Sequence, residues 1–291
     1  GRMPPSDAVR AEEFVNYFPY AYEGPGAESG IPFRVTGGLA RAPWNKNALV
    51  MRVGVKVRDL DWDGRPPSNL VFLVDVSGSM AGGGRLDLVK EALRMLVSRL
   101  DGRDRVAGVT YSNDIGVGLP STTADNAETI MRAVDSLFAE GGTNGEGGIE
   151  LAYEVAGGGF LEDGVNRVIV CSDGDFNIGK SSLPELKELI AQKARSGVFL
   201  SVAGFGMGNY RDDLMESLAH NGNGNYSYID SPEEARRVFA IDAASRLNCM
   251  AKDVKIQVEF NPERVLSYRL VGYENRALAA EDFNDDKKDA G

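Results

Sequence analysis

Leu70, Val71, Phe72, Leu73 and Val74 form an apolar run without a break, closed by Asp75. A half-exposed strand would alternate apolar and polar residues. An unbroken run of this length reads as a strand buried on both faces, which belongs in the middle of a parallel sheet covered by helices on each side. The run delivers three oxygen-bearing side chains at alternate positions, Asp75, Ser77 and Ser79, on a turn that contains Gly78. Such side chains can converge on one point, and oxygen-only donors suit a hard cation such as Mg²⁺.

The chain from Asn69 onward repeats this grammar. Leu86, Val89, Leu93, Leu96 and Leu100 fall on one helical stripe, and residues 105–111 read as the next strand. Residues 115–119 read as a short antiparallel edge strand. Asp125 with Glu128 offers a capping pair for a helix to about Phe138, and Ser182 with Glu185 another for a helix to about Arg195. Between them lie a glycine-flanked loop around Thr143, a helix over 146–156 and a buried strand over 165–172 that ends at Asp173-Gly174. A strand at 198–205, a helix at 212–220 and a short strand at 225–229 follow. Ser231-Pro232-Glu233-Glu234 combines a cap, a first-turn proline and a capping glutamate for a helix to about Leu247. Strands alternating with helices predict βαβ units.

Both ends of the chain read differently. A helical stretch within residues 4–18 is followed by strands at 32–36 and 49–57, then by a proline-rich linker over 59–68. Val254, Ile256, Val258 and Phe260 alternate with Lys255, Gln257 and Glu259, the pattern of a half-exposed antiparallel strand. The expectation is a β-rich domain built from residues 1–64 and 248–291, with an α/β domain over 65–247 inserted in it. The opening Gly1-Arg2-Met3 and the acidic end from Ala279 suggest a trimmed piece of a longer chain.

In an open parallel sheet, ligands bind where strand order reverses, at the carboxyl ends of the strands. If the strands ending at Asp75 and Asp173 are neighbours there, their carboxylates meet, and Thr143 can add a hydroxyl. Asp75, Ser77, Ser79, Thr143 and Asp173 then make one oxygen site. This set, Asp75-x-Ser77-x-Ser79 with Thr143 and Asp173-Gly174, resembles the metal-ion-dependent adhesion site of von Willebrand factor A domains, over about residues 65–247. Ser172 stands where that family usually has threonine. The motifs Asp173-Gly174-Asp175-Phe176-Asn177 and Gly272-Tyr273-Glu274-Asn275-Arg276 resemble those of bacterial YfbK-type proteins, which implies an incomplete C-terminal domain of unknown function.

The resemblance implies a three-layer αβα, doubly wound, Rossmann-like domain and a binding function. Ser77, Ser79 and Thr143 would bind Mg²⁺ directly, with Mn²⁺ or Ca²⁺ as alternatives, while Asp75 and Asp173 would act largely through water. The electron-poor cation would take an exposed Asp or Glu of a partner protein. It would be a bridge and not a catalyst. A second expectation is an assembly subunit of a cell-envelope complex with a purely structural metal. The resemblance favours an extracytoplasmic setting.

Other readings fare worse. Residues 174–181 fit the phosphate-loop pattern G-x-x-x-x-G-K-[ST] and follow a strand. Asp173 and Asp175 would place negative charge against the phosphates, and the capping box at Ser182 starts the helix after Lys180, too late for its amides to face an anion. Pro184 removes a further amide. The same stretch fails as a calcium loop because Ile178 and Pro184 occupy the positions that need Gly and Glu. Asp175 and Asn177 read either as brace residues for the Asp173 loop or as solvated turn residues. The only histidine, His220, precedes Asn221-Gly222 and suits a helix end. Neither Cys171, at the end of an apolar run, nor Cys249 has a histidine in its sequence neighbourhood, so no nucleophile is expected. The aromatics Phe14, Tyr17, Phe18, Tyr20, Tyr22, Trp44 and Trp62 are expected to pack in a core or between domains.

A formal net charge of −11 argues against nucleic acid as the partner, because phosphate binding needs clustered Lys and Arg. No run of eighteen apolar residues exists to span a membrane.

Overall fold

The structure is a computed structural model. It describes residues 11–18, 20–26, 29–58, 62, 64–143, 145–174, 183–206, 212–247, 254–273 and 283. The chain divides into two compact units, residues 60–249 and residues 1–59 with 250–291. Residues 60–64, expected in the first segment, fall in the larger unit, where Trp62 lies over the guanidinium of Arg65 at 4.9 Å from the ring centre.

In the smaller unit, helix α1 (Ala11–Tyr17) precedes a two-stranded antiparallel ribbon, β1 (Phe33–Arg41) and β2 (Leu49–Val57), paired from Phe33↔Val57 to Arg41↔Leu49. The alternating stretch at 254–260 is not a strand. It carries no ladder among the described residues, and Ile256 is 62% exposed. Alternation alone does not make a strand, because the backbone groups need a partner edge. The two ends of the chain meet instead through two hydrogen bonds. The Asn16 amide donates to the Tyr273 hydroxyl, and the Tyr273 amide donates to Glu12 Oε2 at 3.1 Å. Phe14, Tyr17, Phe18, Tyr20 and Trp44 are exposed and not packed in a core, while Tyr20 stacks on Tyr22 with Arg52 over both rings.

The larger unit is a three-layer α/β sandwich. Its strands are β3 (Ser68–Asp75), β4 (Arg105–Tyr111), β5 (Ile115–Thr123), β6 (Val165–Ser172), β7 (Val198–Phe205) and β8 (Tyr226–Ile229). The sheet order is β5-β4-β3-β6-β7-β8, parallel throughout except for β5, which runs antiparallel at the edge and carries Pro120 there. The helices are α2 (Arg85–Val97), α3 (Ala127–Asp135), α4 (Gly145–Gly158), α5 (Leu183–Arg195), α6 (Asp212–Asn221), α7 (Pro232–Arg236) and α8 (Ala243–Leu247). Ser231 Oγ caps α7 by accepting the Glu234 amide at 3.3 Å, but a π-helical turn over Arg237–Ile241 divides the expected single helix into α7 and α8.

The apolar run of β3 is buried throughout because helices cover both faces. Leu70, Phe72 and Val74 point into a cluster with Val89, Leu93 and Leu96 of α2, Ile130 of α3 and Phe239. Val71 and Leu73 point into the opposite cluster, with Ile149 and Tyr153 of α4, Leu186 and Ile190 of α5, and Leu218 of α6. Alternate side chains of one strand thus serve two cores.

Close approach of α4 to the sheet depends on Gly148. A Cβ there would sit 3.0 Å from Leu73 Cδ1 and 3.2 Å from Tyr111 Cβ. Gly148→Val is expected to lower stability by about 1–3 kcal/mol through overpacking, read as a lower urea midpoint at unchanged slope.

Candidate metal centre

The chain runs from β3 to β4 and β5 on one side of the sheet, then crosses to β6 on the other. Strand order therefore reverses between β3 and β6, which pair in parallel from Ser68↔Val165 to Val74↔Cys171. Asp75 ends β3 and Asp173 follows β6, so both leave the sheet at neighbouring carboxyl ends.

Asp75 is fully buried and clamped on each oxygen. Oδ1 accepts the Ser77 amide at 2.9 Å. Oδ2 accepts the Tyr111 hydroxyl and the Ser172 hydroxyl, each at 3.0 Å. Tyr111 reaches it because the β3–β4 register places Tyr111 beside Asp75. Burial raises the Asp75 pKa above the ordinary carboxylate value, and hydrogen bonds from Ser77, Ser172 and Tyr111 oppose that shift. Burial also pushes the Tyr111 hydroxyl well up, with the charge of Asp75 and then of Asp173 adding to it.

Ser77 and Ser79 sit on a short 3₁₀ turn, Gly78–Ala81. Neither works as a helix cap. Ser77 makes no side-chain capping bond to that turn, and α2 is entered through Gly84 in the left-handed region. Their hydroxyls instead hydrogen-bond to each other at 3.0 Å. Adjacent ligands of an octahedron with Mg²⁺–O bonds of 2.0–2.1 Å are about 2.9 Å apart. The spacing fits two neighbouring corners of such a site.

The loop that carries Thr143 is tied to this turn. Gly78 N donates to the Gly141 carbonyl at 3.0 Å, Glu140 N to the Val76 carbonyl at 2.7 Å, and Gly142 N to Asn113 Oδ1 at 2.8 Å. Gly141 takes a positive φ of 80°, and a Cβ there would meet Asn113 Nδ2 at 2.9 Å, so glycine is required. Thr143 stands two residues beyond Gly141, half-buried. Gly174 N donates to Ser172 Oγ at 3.2 Å, which anchors the Asp173 turn to the same network.

Asp75 at the end of β3 and the loops that carry Ser77, Ser79, Thr143 and Asp173 therefore lie at the carboxyl edge of β3 and β6. Among the described residues, no three His, Cys, Asp or Glu side chains cluster as a metal site. The donor set is mostly neutral hydroxyl, which suits a hard cation and not Zn²⁺ held by nitrogen and sulfur.

Three members were not evident in the sequence. Tyr111 and Asn113 end β4 and its turn, and only strand register brings them to Asp75 and Gly142. Arg85 is the third. Its Nη1 donates to the Ser79 carbonyl at 2.7 Å and lies 3.4 Å from Asp173 Oδ2.

Beyond Gly174, the phosphate-loop match lies outside the described residues, as do Asp175, Asn177, Lys180 and Ser182. The helix that follows, α5, opens at Leu183 with Pro184 in its first turn. Cys171 is buried and its thiol is pushed up to about 12 by burial, so it is inert at neutral pH. Cys249 lies outside the described residues. His220 is exposed in the last turn of α6.

The family model described as von Willebrand factor type A domain matches residues 69–240. The model described as uncharacterized protein YfbK, C-terminal, matches residues 245–291, and one described as von Willebrand factor matches residues 1–52. The chain is 44% identical to uncharacterized protein YfbK of Escherichia coli over 100% of its own length and 52% of that protein. It spans about half the length of the curated relatives it matches, 52% of that one and 46% of uncharacterized protein sll0103 from Synechocystis. A solved von Willebrand factor type A protein from Catenulispora acidiphila aligns with a TM-score of 0.55 at 18% identity, over 77% of this chain and 52% of that one. Conserved hypothetical protein BatB from Bacteroides thetaiotaomicron aligns with a TM-score of 0.50 at 20% identity, over 61% and 98%.

Proposed function

The chain belongs to the von Willebrand factor type A domain family, a family of protein–protein interaction modules, and from that premise we propose that it binds its partner through a divalent cation. The observation that carries this reading is the pair of Ser77 and Ser79 hydroxyls, 3.0 Å apart and free of capping duty, in front of the buried Asp75 carboxylate.

Ser77, Ser79 and Thr143 would hold Mg²⁺ through neutral oxygens, with Mn²⁺ or Ca²⁺ as substitutes. The cation supplies Lewis acidity toward one carboxylate oxygen of the partner. The chain's own residues do the rest. Asp75 fixes the Ser77 turn through the Ser77 amide, and Tyr111 and Ser172 fix Asp75. Asp173 balances charge from the neighbouring strand end. Because the direct donors are neutral, a cation held there would stay electron-poor enough to take an Asp or Glu oxygen of the partner. The reading is a binding module and not an enzyme.

The test is capture of a partner in Mg²⁺ against chelator, with Thr143→Ala alongside. Capture is expected in Mg²⁺, lost in chelator, and weakened at least about tenfold in Thr143→Ala at an unchanged melting temperature. Capture that survives chelation would overturn this reading in favour of a purely structural metal.

A further inference from the structure

Arg85 is the first residue of α2, and it faces the wrong way for a helix entrance. The amino end of a helix carries partial positive charge and favours acidic side chains. The Arg85 side chain turns away from the helix toward the metal centre. Gly83 and Gly84, just before it, both take left-handed φ values, 64° and 71°, which set this entry.

The path of the side chain is built into the fold. Its stem crosses Gly206 at the end of β7, where a Cβ would lie 2.5 Å from Nε and 3.1 Å from Cδ. Gly206 has φ +129°, so a side chain there would also be strained. A side chain at this position would push the arginine off this path. The guanidinium then donates to the Ser79 carbonyl and lies against Asp173. Asp173 is 5% exposed at its side chain, whereas Arg85 is 28% exposed. The arginine thus contacts both the Ser77–Ser79 turn and the acid of the opposite strand, with part of its surface open to solvent.

Charge decides what such a residue does. Asp75 and Asp173 together offset one divalent cation. Arg85 adds one positive charge beside them, leaving the loaded centre cationic. A guanidinium also matches a carboxylate geometrically, with parallel N–H donors for its oxygens.

We propose that Arg85 is the second contact for the partner's carboxylate: it weakens cation binding by repulsion and strengthens carboxylate binding by supplying N–H donors beside the metal. The proposal rests on the metal-centre reading above and names which side of the centre the acidic ligand meets. A merely structural brace would act differently, since removing it would loosen the Ser79 turn and Asp173 together and weaken both equilibria.

Arg85→Gln and Arg85→Lys separate the two cases. Mn²⁺ affinity is read by paramagnetic resonance of free Mn²⁺. Carboxylate affinity is read with N-acetylglutamate as probe, through loss of water-proton relaxation by the Mn²⁺ complex. For Arg85→Gln, Mn²⁺ is expected to bind about threefold to tenfold more tightly, from relief of like-charge repulsion. N-acetylglutamate is expected to bind about tenfold or more weakly, from loss of a charge-assisted hydrogen bond. Arg85→Lys keeps Mn²⁺ affinity close to wild type and recovers part of the carboxylate binding. The melting temperature in chelator, measured for all three, checks that each folds. If both affinities fall together in Arg85→Gln, or neither moves, the proposal is overturned. If the wild-type protein binds no Mn²⁺, the metal-centre reading itself fails, and this proposal with it.

Discussion

Asp75→Asn is expected to abolish divalent-cation binding while leaving the metal-free protein as stable as wild type, or more so. Asn preserves the shape of the carboxylate. Its neighbours on that side, the Tyr111 and Ser172 hydroxyls, can donate or accept, so they can turn to meet an amide. What is lost is a fully buried charge whose desolvation is the largest influence on its pKa. The sign follows from linkage. A carboxyl whose folded pKa lies above its unfolded value of 3.8 binds more protons when folded. Stability of the metal-free protein is therefore gained as pH falls toward 3.8 and lost as pH rises through the raised folded value. Asp75→Asn lacks this slope. With Mg²⁺ the order reverses. At a hundredfold excess over the dissociation constant, the wild-type protein gains about 2.7 kcal/mol, or about 5–10 °C in melting temperature, and the variant gains none. An equal Mg²⁺-induced shift in both proteins would remove Asp75 from the centre.

The second large effect lies at the opposite end of the sheet. Arg65 is buried and bonds Asp104 with both terminal guanidinium nitrogens, Nη1 at 2.7 Å, while Trp62 covers its face. Asp104 Oδ1 also accepts the Ser68 amide at 2.8 Å, and Oδ2 the Asp101 amide at 2.9 Å. One side-chain pair thus fastens the entry to β3 against the start of β4. Arg65→Met leaves the Asp104 carboxylate buried with its main partner gone, and it is expected to cost about 3–5 kcal/mol. Urea unfolding of the larger unit reads this directly. The double variant Arg65→Met, Asp104→Asn is expected to recover part of the loss, because no uncompensated charge stays buried and the amide oxygen still accepts the Ser68 N–H. A single variant within about 1 kcal/mol of wild type would show that the pair is dispensable.

Much of this architecture is legible in the chain. The unbroken run 70–74 calls for a central strand, and the strand–helix alternation that follows calls for a parallel sheet with helices on both sides. Asp75, Ser77 and Ser79 are visible as a group because one turn holds them. Asp173 is visible because it directly follows the apolar run Val168-Ile169-Val170-Cys171, which reads as another buried strand. The Ser231 cap is equally local and forms as its sequence suggests.

The misreadings share one physical cause. Residues 254–260 alternate as a strand does, but alternation describes one side of a ladder and the partner side must exist elsewhere. Residues 59–68 read as a linker because proline and polar residues dominate them. Arg65 becomes a core residue only because Asp104, thirty-nine positions away, lies opposite it.

By itself the sequence determined the layer order, the central strand and the local oxygen cluster, since these depend on periodicity and on residues within one turn of each other. Only the tertiary structure decided that β3 and β6 are neighbours, that Tyr111 clamps Asp75, and that Arg85 crosses Gly206 to reach Asp173. Strand order and register are global choices, made by burying two apolar faces at once, and no short stretch of chain encodes which distant residue will stand at its side.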